Sequence, residues 1–195
     1  MAALATSGKF DLLGNELIEI ELAGNTGKRG TWAYFASRFR YWINSELTEP
    51  VPFSIFSPSG NKKLPFFAFS SLPAWDCPGA GPCLDWCYSF RSWRYPGAFF
   101  RQLQNSLLLR FSKDLIARAW EKIPNKSIVR LYVDGDFFDL AILVFWMELI
   151  KARPSLKVYG YSKSWELFLQ LDKKGFAWPT NYFLNLSSGS KYESD

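Results

Sequence analysis

The sequence predicts an α/β protein, either a partial (β/α) barrel or an open parallel sheet of about four strands, with an aromatic-rich N-terminal cap. From residue 65 onward, short runs of β-branched and aromatic residues alternate with stretches of helical periodicity. The 195 residues are 48% apolar and 21% charged, which is typical of a globular chain with one main core. We therefore expect a cap over residues 1–64 and a half-barrel over residues 65–195.

The predicted cap combines a strand, an aromatic segment and turns. Residues 17–22 (LIEIEL) alternate apolar and acidic side chains, as a half-buried strand does. Residues 32–47 are rich in aromatic side chains and suit either a helix or a strand. Prolines and a Ser-Gly-Asn turn interrupt regular structure over residues 50–61.

The predicted half-barrel is built from strands and helices that alternate along the chain. Strands are expected at residues 66–69, 128–133, 156–161 and 181–186. Helices are expected around residues 99–107 and over residues 114–122, 138–151 and 165–174. This order predicts a parallel sheet with right-handed crossovers, in which ligands bind at the carboxyl ends of the strands.

The cysteines form a single cluster, Cys77, Cys83 and Cys87, within eleven residues. An odd number of closely spaced cysteines in a cytoplasmic chain is a poor disulfide framework. Three thiolates on one turn-rich loop would suit three irons of a [4Fe-4S] cluster and leave the fourth iron open. A zinc site is the alternative, although it needs a fourth ligand. Small buried core residues that happen to cluster are the remaining interpretation.

Histidine is absent from the chain, and this absence excludes whole classes of chemistry. Ser-His-Asp and Cys-His catalysis, histidine-ligated zinc and the two-histidine metal site of rolling-circle nickases all require that residue. Acid-base chemistry would fall to carboxylates, Lys, Tyr or Cys. Whether the protein is an enzyme is left open by the sequence.

Polar residues follow each predicted strand where it ends. The cysteine loop follows the first strand, Asp134-Gly135-Asp136 the second, a Tyr-Ser-Lys-Ser turn with Ser162 the third, and a Leu-Ser turn with Ser187 the fourth. Because the carboxyl ends of parallel strands share one edge, we expect these loops to meet there. Asp136 could equally cap the helix that follows it, and the two roles are compatible.

A basic and aromatic segment follows the cysteines and includes Arg91, Trp93 and Arg94. Such residues could track phosphates and stack on bases, and residues 73–122 carry a modest net charge of +3, from seven basic and four acidic residues. A solvated helix face is the simpler interpretation. A third possibility is that the two arginines balance the negative charge of a thiolate-bound cluster.

These sequence blocks resemble the phage "gene product 88" family over about residues 64–190. The resemblance rests on the CPGA…C…CY loop, the DGDFF turn, the YSKS turn and the strand that ends in Leu-Ser. The family occurs in phages and on plasmids, and is distantly similar to radical S-adenosylmethionine (SAM) enzymes. The resemblance implies that the three cysteines hold a [4Fe-4S] cluster and that SAM binds beside it. The implied cofactor-binding positions are Asp134, Gly135, Asp136, Ser162 and Ser187.

The sequence thus favours a cytoplasmic iron-sulfur protein, encoded by a phage or plasmid and similar to radical SAM enzymes. The alternative is a nucleic-acid-binding accessory protein of phage or plasmid replication with a structural metal site. No membrane segment is expected, because the most apolar stretch, residues 137–150, is short and contains Asp139 and Glu148. The open edge of a four-stranded sheet would be covered by the cap or by a homodimer.

Overall fold

The computed structural model describes residues 29–60 and 62–193, which form one five-stranded sheet and five α-helices. The strands are β1 Ser57–Gly60, β2 Pro65–Ala68, β3 Ile128–Leu131, β4 Lys157–Ser162 and β5 Tyr182–Leu186. The helices are α1 Arg29–Asn44, α2 Pro96–Phe111, α3 Lys113–Glu121, α4 Leu140–Lys151 and α5 Trp165–Lys173. Two 3-10 helices, Pro82–Trp86 and Tyr88–Arg94, lie between β2 and α2.

The sheet has the order β1-β2-β3-β4-β5, and strands β2 to β5 are parallel. The predicted α/β class and its four parallel strands are therefore confirmed. The additional strand β1 pairs antiparallel with β2 where the sequence predicted a turn. Pro58 is tolerated there because an edge strand does not need every backbone N–H. The predicted boundary after residue 64 falls inside this β1-β2 hairpin.

The aromatic segment of the predicted cap is a helix, α1, and it packs on α2. Trp32 lies 5.4 Å from Phe99 between ring centroids, and Phe39 lies 5.4 Å from Phe100. Both α1 side chains are fully buried. Aromatic packing thus joins α1 to the helical layer of the domain. The strand predicted at residues 17–22 lies outside the described residues.

The two faces of the sheet differ in what they contact. Val129, Leu131 and Val158 are fully buried in the core that also contains the helical side chains Trp120 and Trp146. The intervening residues of β3 and β4 point to the other face, because successive side chains alternate across a strand. This second face, called the open face below, carries Arg130, Tyr159 and Tyr161 on β3 and β4 and Phe183 on β5.

Helix α4 is the predicted apolar helix, and most of its side chains lie in or against the core. Among the helices that the structure describes, this one included, none combines the length and apolarity needed to cross a bilayer.

Candidate functional site: a cysteine-lined cavity

A cavity of about 270 Å³ lies at the carboxyl ends of the parallel strands. All four predicted loops contribute to its wall. Among the residues that line it are Cys77, Cys83, Cys87, Asp134, Gly135, Asp136, Lys163 and Ser187. Of the predicted site residues, the three cysteines, the Asp-Gly-Asp turn and Ser187 are therefore brought together here.

The cysteine loop is built from turns and 3-10 helices. Cys83 is buried within the first 3-10 helix, and Cys87 lies between the two. The three thiols form no disulfide.

The cysteine loop is fixed from behind by the segment that follows β5. Gly81 donates its backbone N–H to Gly189 at 3.1 Å, and Lys191 donates its own to Gly79 at 3.0 Å. A side chain at Gly79 would place its Cβ 2.0 Å from the carbonyl oxygen of Lys163. Only glycine therefore allows this close approach of the cysteine loop to the loop after β4.

The thiol of Cys77 is held in an environment that favours its neutral form. Burial raises the pKa of Cys77, and the negative charge of Asp136 raises it further. Asp76 and Cys87 act in the same direction, whereas a hydrogen bond with the backbone of Ala74 opposes them. A bound cation would reverse this preference, because it stabilises thiolates directly.

Asp136 is buried and joins two of the loops. Its carboxylate accepts hydrogen bonds from Ser162 Oγ at 2.8 Å and from the backbone N–H groups of Lys163 and Ser164 at 2.7 and 3.2 Å. Burial raises the pKa of Asp136 to about 6, although these hydrogen bonds lower it. Ser162 is buried and supports the cavity wall through Asp136.

Asp136 does not cap the helix that follows it, so the capping role considered for it from the sequence is wrong. Asp139 is the N-cap of α4, and its side chain accepts a hydrogen bond from Ile142 N at 2.7 Å. Asp136 instead binds the backbone just before α5. This difference arises because α4 begins at Leu140, two residues after its predicted start, so that Asp139 occupies the N-cap position.

Asp134 and Gly135 form the floor of the cavity near α2. The Asp134 carboxylate accepts a hydrogen bond from Gln102 Nε2 at 3.0 Å, and burial raises its pKa. Gly135 has a φ of +81°, and a Cβ there would lie 2.1 Å from Ser71 Oγ. The Asp-Gly-Asp turn thus needs glycine both for its conformation and for space.

Sequence reasoning missed two cations that line the cavity, Lys163 and Arg130. Lys163 Nζ donates a hydrogen bond to Ser187 Oγ at 2.7 Å. The Arg130 guanidinium lies 5.3 Å from the ring centroid of Tyr161, and its Nε is buried with no hydrogen-bond partner among the described residues. For Arg130 the available indication was a charged residue inside the strand predicted at residues 128–133, because strand interiors disfavour charge unless they face a polar site.

The basic and aromatic segment occupies the second 3-10 helix. Arg91 and Arg94 are exposed, and neither lines the cavity. Trp93 is half-buried: its indole N–H donates to Gln102 Oε1 at 2.7 Å and its ring lies 5.3 Å from Phe99. Since Gln102 also binds Asp134, Trp93 supports the cavity wall from behind.

A buried ion pair anchors the start of the cysteine loop. Asp76, directly before Cys77, is fully buried and lies 2.7 Å from an Arg110 amino group of α2. The Arg110 guanidinium lies 4.0 Å from the ring centroids of both Trp75 and Phe138. This pairing could not be read from the sequence, because the two charges are far apart in the chain.

The three thiols share one cavity, but they are not gathered around one point. Within residues 29–60 and 62–193, no group of three Cys, Asp or Glu side chains is arranged to hold a metal ion. The donor set nevertheless suits iron-sulfur chemistry, because soft thiolates are the preferred ligands of such clusters.

A five-stranded, mostly parallel α/β sheet with a cysteine-lined cavity at its carboxyl edge defines the class of this protein. The sequence model of the family described as Gene product 88 matches residues 47–195. The chain therefore belongs to the Gene product 88 family, and the resemblance seen in the sequence is confirmed to that extent. No match was found among curated proteins or among solved structures, and the comparisons do not support similarity to radical SAM enzymes.

Proposed function

We propose that this chain is a phage- or plasmid-encoded iron-sulfur protein. Cys77, Cys83 and Cys87 would hold a [4Fe-4S] cluster in the cavity at the carboxyl ends of the strands. The observation that carries the proposal is that every cysteine of the chain lines that one cavity as a free thiol. Three cysteine ligands leave one iron of such a cluster free for a further ligand.

The surroundings of the thiols support this assignment. Arg130 and Lys163 line the same cavity and would offset the negative charge of thiolate ligands. The loop holding the thiols consists of turns and short 3-10 helices, and binding of a cluster would require the three thiols to converge. Deprotonation of Cys77 against its raised pKa would release a proton on metal binding, which makes metal affinity increase with pH.

The iron content of the protein tests the proposal. Anaerobically purified protein should contain about four irons and four sulfides per chain, with the broad absorbance of thiolate-ligated clusters. Replacing Cys77, Cys83 or Cys87 singly by Ser should abolish that absorbance, because Ser offers no thiolate. Iron, sulfide and zinc are measured together on each preparation.

A matched control comes from Asp139→Asn, which changes a carboxylate outside the cavity and keeps an N-cap residue. This variant should retain its iron. Stoichiometric zinc without iron, in protein from cells supplied with iron, would contradict the cluster and indicate a zinc site. Iron retained in all three Cys→Ser variants would contradict the ligand assignment.

As a finer proposal, SAM binds beside the cluster, with its amino group on Asp134. Asp134→Asn should then weaken SAM binding by about 1–3 kcal/mol, the value of a charge-assisted hydrogen bond, without changing the iron content. Calorimetry on reconstituted protein measures the affinity, and Asp139→Asn should bind SAM like the wild type. Equal affinities for Asp134→Asn and wild type would remove Asp134 from the SAM site. If the wild type binds iron but not SAM, the SAM proposal fails while the cluster proposal stands.

A further inference from the structure

The open face of the sheet is an aromatic surface. Tyr159 pairs in register with Arg130 on one side and with Phe183 on the other, so these side chains share one face. Tyr161 lies one step further along β4 on the same face. Tyr161 is 46% exposed and Phe183 is 58% exposed, although large rings are usually covered in a folded domain.

The charge of this face has one sign. The five strands contain two cations, Arg130 and Lys157, and no Asp or Glu. Because Lys157 pairs in register with Ile128 two residues before the Arg130–Tyr159 pair, it lies on the open face too. The buried Nε of Arg130 has no hydrogen-bond partner in the described part of the chain. The whole chain carries +5.

We infer that the open face binds single-stranded nucleic acid. Exposed rings on a sheet can stack unpaired bases, while lysine and arginine beside them contact the phosphates. A hydrophobic protein partner would gain less from this face, because it would bury Arg130 and Lys157 against apolar side chains. The inference goes beyond the iron-sulfur proposal and does not depend on it.

The open face leads directly into the cysteine cavity. Arg130 and Tyr161 belong to the face and also line the cavity. Trp86, which is 62% exposed, lines the cavity as well. A strand lying across Phe183 and Tyr161 would therefore present a nucleotide to the cavity mouth. This surface is distinct from Arg91 and Arg94 on the second 3-10 helix.

Fluorescence anisotropy with a labelled 15-nucleotide oligothymidine tests the inference at low salt, with oligouridine as the RNA counterpart. Phe183→Ala and Tyr161→Ala should each weaken binding roughly 5- to 150-fold, because each removes a stacking ring. Tyr41→Ala is the matched control, since Tyr41 is 80% exposed on α1, away from the sheet. Lys157→Gln should reduce the slope of log affinity against log salt by about 0.7, the contribution of one phosphate contact.

The control Lys122→Gln, which removes an exposed lysine outside the sheet, should leave that slope unchanged. Several results would overturn the inference: wild type that binds neither oligonucleotide, ring variants that bind like Tyr41→Ala, or equal binding of a duplex of the same length. Loss of binding in Arg94→Ala alone would move the site to the second 3-10 helix. A dimer in sedimentation that Phe183→Ala dissociates would assign the face to a second copy instead.

Discussion

Gly135 shows how one residue sets the floor of the cavity. Its neighbours Asp134 and Asp136 turn in different directions, one towards Gln102 and the other towards Ser162. The chain can make this turn because Gly135 adopts a positive φ and packs against Ser71. A residue without a side chain therefore decides where two carboxylates lie.

Gly135→Ala should destabilise the protein more than Gly175→Ala. Both glycines have a positive φ, +81° and +70°, so both variants carry the cost of about 1–2 kcal/mol for a left-handed conformation. At Gly135 an added Cβ would lie 2.1 Å from Ser71 Oγ, whereas at Gly175 it would meet no atom within 4 Å in the part of the chain that the structure describes. Urea unfolding of both variants measures the difference.

The double variant Ser71→Gly with Gly135→Ala separates the two causes. It should recover the part of the lost unfolding free energy that comes from the collision with Ser71 Oγ. The part that comes from the positive φ should remain lost. Equal losses in Gly135→Ala and Gly175→Ala would show that the contact with Ser71 has no energetic consequence.

At the scale of elements, Asp136 ties the loop after β3 to the start of α5. Its pKa is raised from 3.8 to about 6, so the folded state binds the proton more tightly than the unfolded state does. This contribution to stability is complete below about pH 4 and is lost as the pH rises through 6. Since one pKa unit corresponds to 1.36 kcal/mol, the loss is about 3 kcal/mol.

Asp136→Asn should remove this pH dependence, because an amide does not titrate. The free energy of unfolding of metal-free wild type, measured relative to the variant, should therefore fall between pH 4 and pH 7. Urea titrations at four pH values measure the gap between the two proteins. A gap that stays constant over this range, or that widens in favour of the wild type, would contradict the assignment.

The sequence allowed most elements to be predicted, and the exceptions have physical reasons. The strands β2 to β5 contain β-branched and aromatic runs that indicate their conformation directly. Strand β1 has the sequence Ser-Pro-Ser-Gly, which carries no such indication, and it is a strand because β2 offers it a partner. The cap of α4 was considered for Asp136 because the helix was expected from residue 138, which placed the true N-cap, Asp139, inside the predicted helix.

The candidate site was partly predictable for a topological reason. Parallel strands bring their carboxyl ends together, so the cysteines and the Asp-Gly-Asp turn could be expected at one edge from chain order alone. The role of Lys163 could not be predicted, because it depends on which way that side chain points, whereas the charge of Arg130 within a predicted strand was an indication. Trp93 has its indole turned to Gln102, a contact that spacing along the chain does not reveal.

At the scale of the whole molecule, the edge strand β5 has an apolar groove beside it. Phe168, Trp178, Leu184 and Leu186 are among the residues lining this groove of about 410 Å³, which lies between α5 and β5. The groove lies on the helical side of the sheet, whereas Phe183 belongs to the open face. The expected homodimer over this edge stays a prediction.

The contact between the cysteine loop and the segment after β5 has a consequence for the order of folding. The hydrogen bond from Ser190 Oγ to the Gly79 carbonyl oxygen joins residues 111 positions apart in the chain. Contacts of such long range form slowly, since a large loop must close before they contribute any stability. We therefore expect the cysteine loop to reach its final conformation late, after β3, β4 and β5 have assembled.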